Sequence, residues 1–144
     1  MNFSHLKDLK HNWILYFILV VSFVATSGSL YFSEIKDYLP CSLCWFQRIF
    51  MYPIVVLSFI ALLRNDKGII YSLLPLSVIG IIFSTIHLFV ENSGSNDSSF
   101  CAVGVSCAVK YINWFGFITI PLLCFTAFLM IIISILVYHF KVKK

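Results

Sequence analysis

Four long apolar runs limit what this chain can fold into. They cover approximately residues 13–32, 44–63, 69–90 and 114–138. Each run is long enough to cross a bilayer as a helix, and hydrocarbon leaves a backbone no partners except those within the helix itself. Only 11% of the residues are charged, against about a quarter in soluble domains. The sequence therefore predicts an all-α membrane protein in which residues 1–144 form one four-helix antiparallel bundle. Pro75 and Pro121 fall inside the third and fourth runs, where they are expected to kink the helices.

The connections between the runs predict how the bundle sits in the membrane. Residues 64–68 alone separate the second run from the third, so these helices are expected to be antiparallel neighbours. Seven of the ten Lys and Arg residues lie in this connection and the two termini, whereas the predicted outer loops, 33–43 and 91–113, hold only Lys36 and Lys110. The positive-inside rule then places both termini in the cytoplasm. The net charge of +4 follows from this topology, so membrane lipid is an expected partner and nucleic acid is not.

A Cys-x-x-Cys pair opens the second run. Cys41 and Cys44 lie at the predicted N-terminus of that helix, where partial positive charge stabilises a thiolate. A disulfide across so small a loop adds little stability through chain entropy, so we predict a redox-active pair rather than a static bridge. Arg48 lies one turn further on the same face, where its guanidinium can stabilise a thiolate or an anionic oxygen of a small electron acceptor. Anchoring to lipid phosphates is the alternative role for this arginine.

Three further cysteines and one histidine are candidates for the site. Cys101 and Cys107 fall in the second outer loop after a flexible polar tract, which gives them the reach that thiol exchange needs. A single structural disulfide in this loop is the alternative. Cys124 lies inside the fourth run and is predicted to be a small packing residue without polar neighbours. His87 is expected at the depth of Arg48, where it contacts a ligand or bonds to a backbone carbonyl.

Around these residues the chain resembles the DsbB family of membrane thiol:disulfide interchange proteins, and within it the BdbC branch. The resemblance covers almost the whole chain and rests on residues 28–35, 40–45, 47–49, 51–53 and 111–121. It implies a four-helix bundle of the bacterial cytoplasmic membrane with both cysteine pairs on the extracytoplasmic side. The implied function is to reoxidise a thioredoxin-fold thiol oxidase of the DsbA or BdbD kind and to pass the electrons to a membrane quinone, either menaquinone or ubiquinone.

The resemblance also assigns roles to the site residues. It implies that Cys41 and Cys44 form the quinone-proximal pair, with Cys44 nearest the quinone, and that Cys101 and Cys107 exchange with the partner protein. Arg48 is expected to stabilise the charged intermediate, and we add His87 to the residues expected to contact the quinone. Only five residues separate the two loop cysteines, so passage of electrons to Cys41 requires movement of the polar tract before them.

Three other classes of protein are alternatives. A vitamin-K-epoxide-reductase-like enzyme also joins a Cys-x-x-Cys to a quinone, but that family usually places its active pair late in the chain, after the loop cysteines. A four-thiolate metal site built from both pairs is disfavoured because thiols facing an oxidising compartment tend to oxidise, so no metal ligand is expected. A structural bundle with two incidental disulfides predicts no catalytic thiol.

Overall fold

The structure, a computed structural model, describes residues 3–37, 39–64, 66, 68–93 and 119–142. Its helices are α1 (Phe3–Glu34), α2 (Ser42–Arg64), α3 (Ile69–Ser93) and α4 (Ile120–Val142). Each helix contains a segment long and apolar enough to cross a membrane, namely Asn12–Glu34, Ser42–Arg64, Ile69–Ser93 and Ile120–Phe140. The prediction of an all-α, four-helix membrane protein is confirmed. The side of the membrane that the termini face stays a prediction.

The four helices pack as a closed ring. Helix α1 contacts α2, α2 contacts α3, α3 contacts α4, and α4 returns to α1. Branched and aromatic side chains from the four helices fill the centre, among them Leu15, Ile54, Leu73 and Phe128, all fully buried. The outer surface remains rich in exposed large apolar side chains. Helices that are apolar on every face are typical of a bundle surrounded by lipid.

Small residues on the inner faces allow close packing and satisfy their own polar groups. Ser58, Ser77 and Ser84 are fully buried, and each hydroxyl donates to the carbonyl four residues earlier, at 2.7, 2.8 and 3.0 Å. Their hydroxyls therefore need no partner from another helix. Gly80 on α3 lies against the ring of Phe128 on α4, and a Cβ atom at this position would overlap that ring. The absence of a side chain at Gly80 therefore allows α3 and α4 to approach closely at this point.

The start of α4 differs from the sequence prediction. Pro121 is the second residue of the helix, so the prediction that it interrupts the helix is wrong. The carbonyl of Thr119 accepts the N–H of Leu123 at 3.1 Å, which makes Thr119 the N-cap. A proline is tolerated in this first turn because N–H groups there have no partner within the helix. Pro75 does lie inside α3. Residues 114–118 of the predicted fourth span lie outside the described residues.

Candidate redox site

The candidate site lies at one end of the bundle, where α1 and α3 end and α2 and α4 begin. Each helix contributes polar or sulfur-bearing side chains to it: Ser29 from α1, Cys41 and its neighbours from the start of α2, His87 from α3, and Cys124 from α4. Stacked rings hold α2 against α3 beside the site, since Phe83 lies 4.9 Å from Phe46 and 5.7 Å from Phe50 between ring centroids. Convergence of four helix ends thus assembles residues that are far apart in the sequence.

Cys41 caps the N-terminus of α2. Its carbonyl accepts the N–H of Trp45 at 3.2 Å, which makes Cys41 the N-cap and Cys44 the third helical residue. The two sulfur atoms lie 3.2 Å apart, and both cysteines are free thiols. Cys41 is buried among Leu43 and Val90, while Cys44 is half-buried. The pair therefore combines a helix N-terminus with a largely apolar wall.

His87 connects the Cys-x-x-Cys to α3. Its Nε2 lies 3.6 Å from Cys41 Sγ, and its Nδ1 lies 3.1 Å from the side-chain nitrogen of Gln47. When this amide nitrogen donates to Nδ1, the ring carries its hydrogen on Nε2 and directs it at the Cys41 sulfur. Both His87 and Gln47 are buried. The result is a chain of contacts from an amide through an imidazole to a thiol.

These contacts favour the thiolate at Cys41. A hydrogen bond from the Cys44 thiol contributes most to lowering the pKa of Cys41 from its ordinary 9.0 to about 4. The imidazole of His87 and the backbone N–H of Cys44 act in the same direction, whereas burial opposes them. Donors to a sulfur at a helix N-terminus stabilise its charged form. The surroundings of Cys41 therefore favour its thiolate form.

Arg48 is held by α1 rather than by the cysteines. Its Nε donates to Ser29 Oγ at 2.9 Å and its Nη2 donates to the Ser29 carbonyl at 2.8 Å. The guanidinium also lies over the ring of Trp45, 5.7 Å from the centroid. Only 8% of the residue is exposed. Within the described part of the chain these contacts fix the cation in place, and none of them is to a cysteine sulfur.

Two cavities lie near Arg48 and share Ser29 in their linings. The smaller cavity is lined by Arg48 together with Gln47, Thr26 and Cys124. The buried hydroxyl of Thr26 has no hydrogen-bond partner among the described residues. The larger cavity, of ≈390 Å³, lies between α1 and α4 and shares Ser29 and Cys124 with the smaller one. Its remaining walls are almost wholly apolar, so an apolar cavity lies next to a smaller one that is lined by a cation and an unsatisfied hydroxyl.

The structure brings together some of the predicted site residues and leaves others untested. Cys41, Cys44 and His87 form one cluster, and Arg48 lies beside it. Cys124 has apolar neighbours along the sequence, and in the structure it lines the same cavity as Arg48; its role as a packing residue stays a prediction. Cys101 and Cys107 lie outside the described residues, so their roles stay predictions.

Sequence reasoning missed three polar residues of this site. Gln47 had no recognised role because its partner, His87, lies on another helix. Ser29 falls within a segment that carries the family resemblance but has no assigned role there, and Thr26 has none either. Their signal in the sequence was the presence of hydroxyl and amide groups near helix ends within otherwise apolar spans, where unpaired polar groups are costly.

Comparison with known proteins identifies the family. The family model of the disulfide bond formation protein DsbB matches residues 11–138. Disulfide bond formation protein C of Bacillus subtilis is 47% identical over 120 residues, which cover 83% of this chain and 87% of that protein. Probable disulfide formation protein C of Halalkalibacterium halodurans is 45% identical over 124 residues, or 85% and 90% of the two chains. No solved structure matches the chain. The predicted resemblance is thus confirmed, and the chain belongs to the DsbB family as a membrane protein of disulfide bond formation.

Proposed function

We propose that this protein reoxidises an extracytoplasmic thioredoxin-fold thiol oxidase and passes the electrons to a membrane quinone. The observation that carries this proposal is the Cys-x-x-Cys pair at the N-terminus of α2, in which His87 and the Cys44 thiol favour the Cys41 thiolate. One turn further along α2, Arg48 lines a small cavity that shares Ser29 and Cys124 with an apolar cavity between α1 and α4. A static disulfide needs none of these features. The proposed location is the bacterial cytoplasmic membrane, with the cysteine pairs on the extracytoplasmic side.

The Cys-x-x-Cys pair carries two electrons between protein thiols and the acceptor. In the oxidised protein Cys41 and Cys44 share a disulfide, and an incoming thiolate breaks it by forming a mixed disulfide with one of the two sulfurs. A second thiolate on the donor then breaks the mixed disulfide, which leaves the donor oxidised and both cysteines reduced. His87 and the backbone N–H of Cys44 stabilise the resulting Cys41 thiolate. When the incoming thiolate attacks Cys44, the low pKa of Cys41 favours its release as the leaving group; attack on Cys41, the order that the resemblance implies, releases Cys44 instead.

The residues around Arg48 fit a quinone. Such a molecule combines carbonyl oxygens with an apolar ring and tail, and here Arg48 and the unpartnered Thr26 hydroxyl would hold the oxygens while the walls of the α1–α4 cavity hold the apolar part. When bound, a quinone supplies an acceptor for two electrons and two protons. Ser29 orients the Arg48 guanidinium through two hydrogen bonds. His87 lines neither of these two cavities, so we assign it to Cys41, and its predicted contact with the quinone stays a prediction.

A half-reaction assay tests the acceptor. The full chain in lipid nanodiscs is reduced, freed of reductant without oxygen, and mixed with a menaquinone or ubiquinone analogue while thiols are counted by alkylation and mass spectrometry. Cys41 and Cys44 should lose two thiols together in the wild type and in a Cys101→Ser/Cys107→Ser variant. Cys41→Ser and Cys44→Ser should leave the quinone oxidised. Quinone reduction by either single variant near the wild-type rate would contradict the proposal.

A trapping experiment tests the partner. A reduced thioredoxin-fold oxidase should attack the more accessible sulfur of the loop pair, which we propose to be Cys101, because Cys107 leads towards the last helix. In a Cys107→Ser variant the partner should therefore accumulate on Cys101 as an adduct that reductant dissolves. Adduct only in Cys101→Ser would reverse the order of the two cysteines. Adduct in neither variant would show that the loop pair does not exchange with the partner.

A further inference from the structure

We propose that the reduced form of this site binds one divalent ion of the Zn²⁺ and Cd²⁺ class, through Cys41 Sγ, Cys44 Sγ and His87 Nε2. The metal site considered from the sequence consists of four thiolates, from both cysteine pairs. The structure presents a different donor set, in which an imidazole from α3 joins the Cys-x-x-Cys of α2. The three donor atoms all lie within 4.8 Å of one another.

The distances between the donors suit such an ion. Zinc–sulfur bonds of about 2.3 Å and zinc–nitrogen bonds of about 2.0–2.1 Å at tetrahedral angles place two sulfurs about 3.8 Å apart and a sulfur about 3.6 Å from a nitrogen. Cys41 Sγ lies 3.6 Å from His87 Nε2 and 3.2 Å from Cys44 Sγ. Ion binding therefore requires the two sulfurs to separate by about 0.6 Å, which rotation of the half-buried Cys44 side chain can supply. Three protein donors leave the fourth position for water.

Charge balance favours a divalent ion in this buried position. In the complex both sulfurs are thiolates, so binding displaces the proton of the Cys44 thiol, together with that of Cys41 wherever it is still present, and no electron moves. Two thiolates then neutralise the two positive charges, and neutral imidazole adds none. Cys41 and His87 are 5% and 4% exposed, and burial of a neutral cluster avoids the cost of burying an unpaired charge. Thiolate and imidazole ligands are also the donors that this class of ion prefers.

Gln47 provides the support that a ligating histidine needs. When Nε2 binds an ion, Nδ1 carries the ring hydrogen and requires an acceptor. The Gln47 amide lies 3.1 Å from Nδ1, and a half-turn of that amide presents its oxygen instead of its nitrogen. Gln47 can therefore support His87 in both states. In one state His87 donates to the Cys41 thiolate, and in the other His87 binds the ion. Supporting groups of this kind hold the ring in position and tune its basicity.

The proposed site exists only in the dithiol state. A disulfide between Cys41 and Cys44 removes both thiolate ligands at once, so ion binding and oxidation compete for the same sulfurs. An ion bound to the reduced protein would block the step in which the pair passes its electrons on. Binding of the ion by the dithiol does not depend on whether the electron acceptor is a quinone.

Cadmium is the probe for this site, because cadmium thiolates absorb in the near ultraviolet. We would titrate Cd²⁺ into the full chain carrying Cys101→Ser and Cys107→Ser, which removes the loop thiols as competing ligands. The reduced protein should bind one Cd²⁺ per chain with a thiolate absorption band. The same protein oxidised with a soluble disulfide-forming reagent should show no band. This comparison needs no substitution within the site and is therefore independent of variant folding.

Substitutions then test His87 as the third ligand and Gln47 as the residue that supports it. His87→Ala should weaken Cd²⁺ binding more than tenfold, and Gln47→Leu should weaken it by about tenfold. His139→Ala is the matched control, because His139 lies near the other end of α4 and should leave the affinity unchanged. Circular dichroism checks that each variant is folded. An unchanged affinity in His87→Ala, equal binding by the oxidised protein, or loss of the band in Cys124→Ser would each overturn the proposed ligand set.

Discussion

Removal of the His87 imidazole should make the Cys41 thiol harder to ionise by a predictable amount. A hydrogen bond to a charged group is worth about 1.5–3 kcal/mol, and 1.36 kcal/mol corresponds to one pH unit in a pKa. His87→Ala, which removes the contact at 3.6 Å, should therefore raise the pKa of Cys41 from about 4 by about one to two pH units. The hydrogen bond from Cys44 is the largest single contribution, so Cys44→Ala should also raise this pKa.

The pH dependence of alkylation measures this change. Iodoacetamide reacts with the thiolate, so the rate at Cys41 should rise with pH around the pKa of that thiol and level off above it. Burial slows the reaction but leaves its midpoint in place, and mass spectrometry separates Cys41 from the other thiols. His139→Ala is again the matched control. His87→Gln should give an intermediate midpoint, because its amide N–H can still donate from a similar position.

Two results would refute the electrostatic account of the site. The first is a wild-type midpoint near the ordinary value of 9.0, which would mean that the donors around Cys41 do not stabilise its thiolate. The second is a His87→Ala midpoint equal to that of the wild type. In that case the imidazole packs beside the sulfur without acting on it, and the helix N-terminus with Cys44 suffices.

The remaining predictions concern the arginine and the packing of the bundle. Arg48→Ala should raise the apparent quinone KM about tenfold or more, while Arg48→Lys keeps the charge, loses the planar fork and should be milder. Ser29→Ala removes one of the two bonds that orient this guanidinium and should raise the same KM by about two- to tenfold; unchanged KM values in all three would reduce Arg48 to a lipid anchor. Gly80→Ala forces a methyl group against the buried Phe128 ring and should lower stability by about 1–3 kcal/mol, measured as thermal unfolding in detergent. Gly28→Ala is its matched control, because among the described residues no atom beyond the adjoining backbone of α1 lies within 4 Å of a Cβ at that position, and equal melting temperatures for the two variants would contradict the packing argument.

Hydropathy predicted the helices well because each span is determined locally. A run of about 20 apolar residues has few other structures open to it in lipid, and α2 and α3 begin or end within a few residues of the predicted limits. Charged and polar residues between the runs marked the ends. Pro121 misled the prediction because the same residue breaks a helix in its interior and suits its first turn.

The contacts within the site could not be predicted in the same way, because they depend on how the helices rotate against one another. The Cys-x-x-Cys and Arg48 were evident from spacing along one helix. The contact between Gln47 and His87 joins residues that are 40 positions apart, and nothing local in either span indicates it. Arg48 was expected to face Cys44, yet its hydrogen bonds go to Ser29 on α1. A single sequence does not specify which neighbour a buried polar group selects.

The assembly of the site from four helix ends has a consequence for the synthesis of the chain. Cys41 and Cys44 precede α3 in the chain, so until α3 packs against α2 the pair has the helix N-terminus but not the contact with His87. Its Cys41 thiol is therefore less readily ionised than in the complete bundle. The stabilisation of the Cys41 thiolate is completed only when the third helix packs against the second.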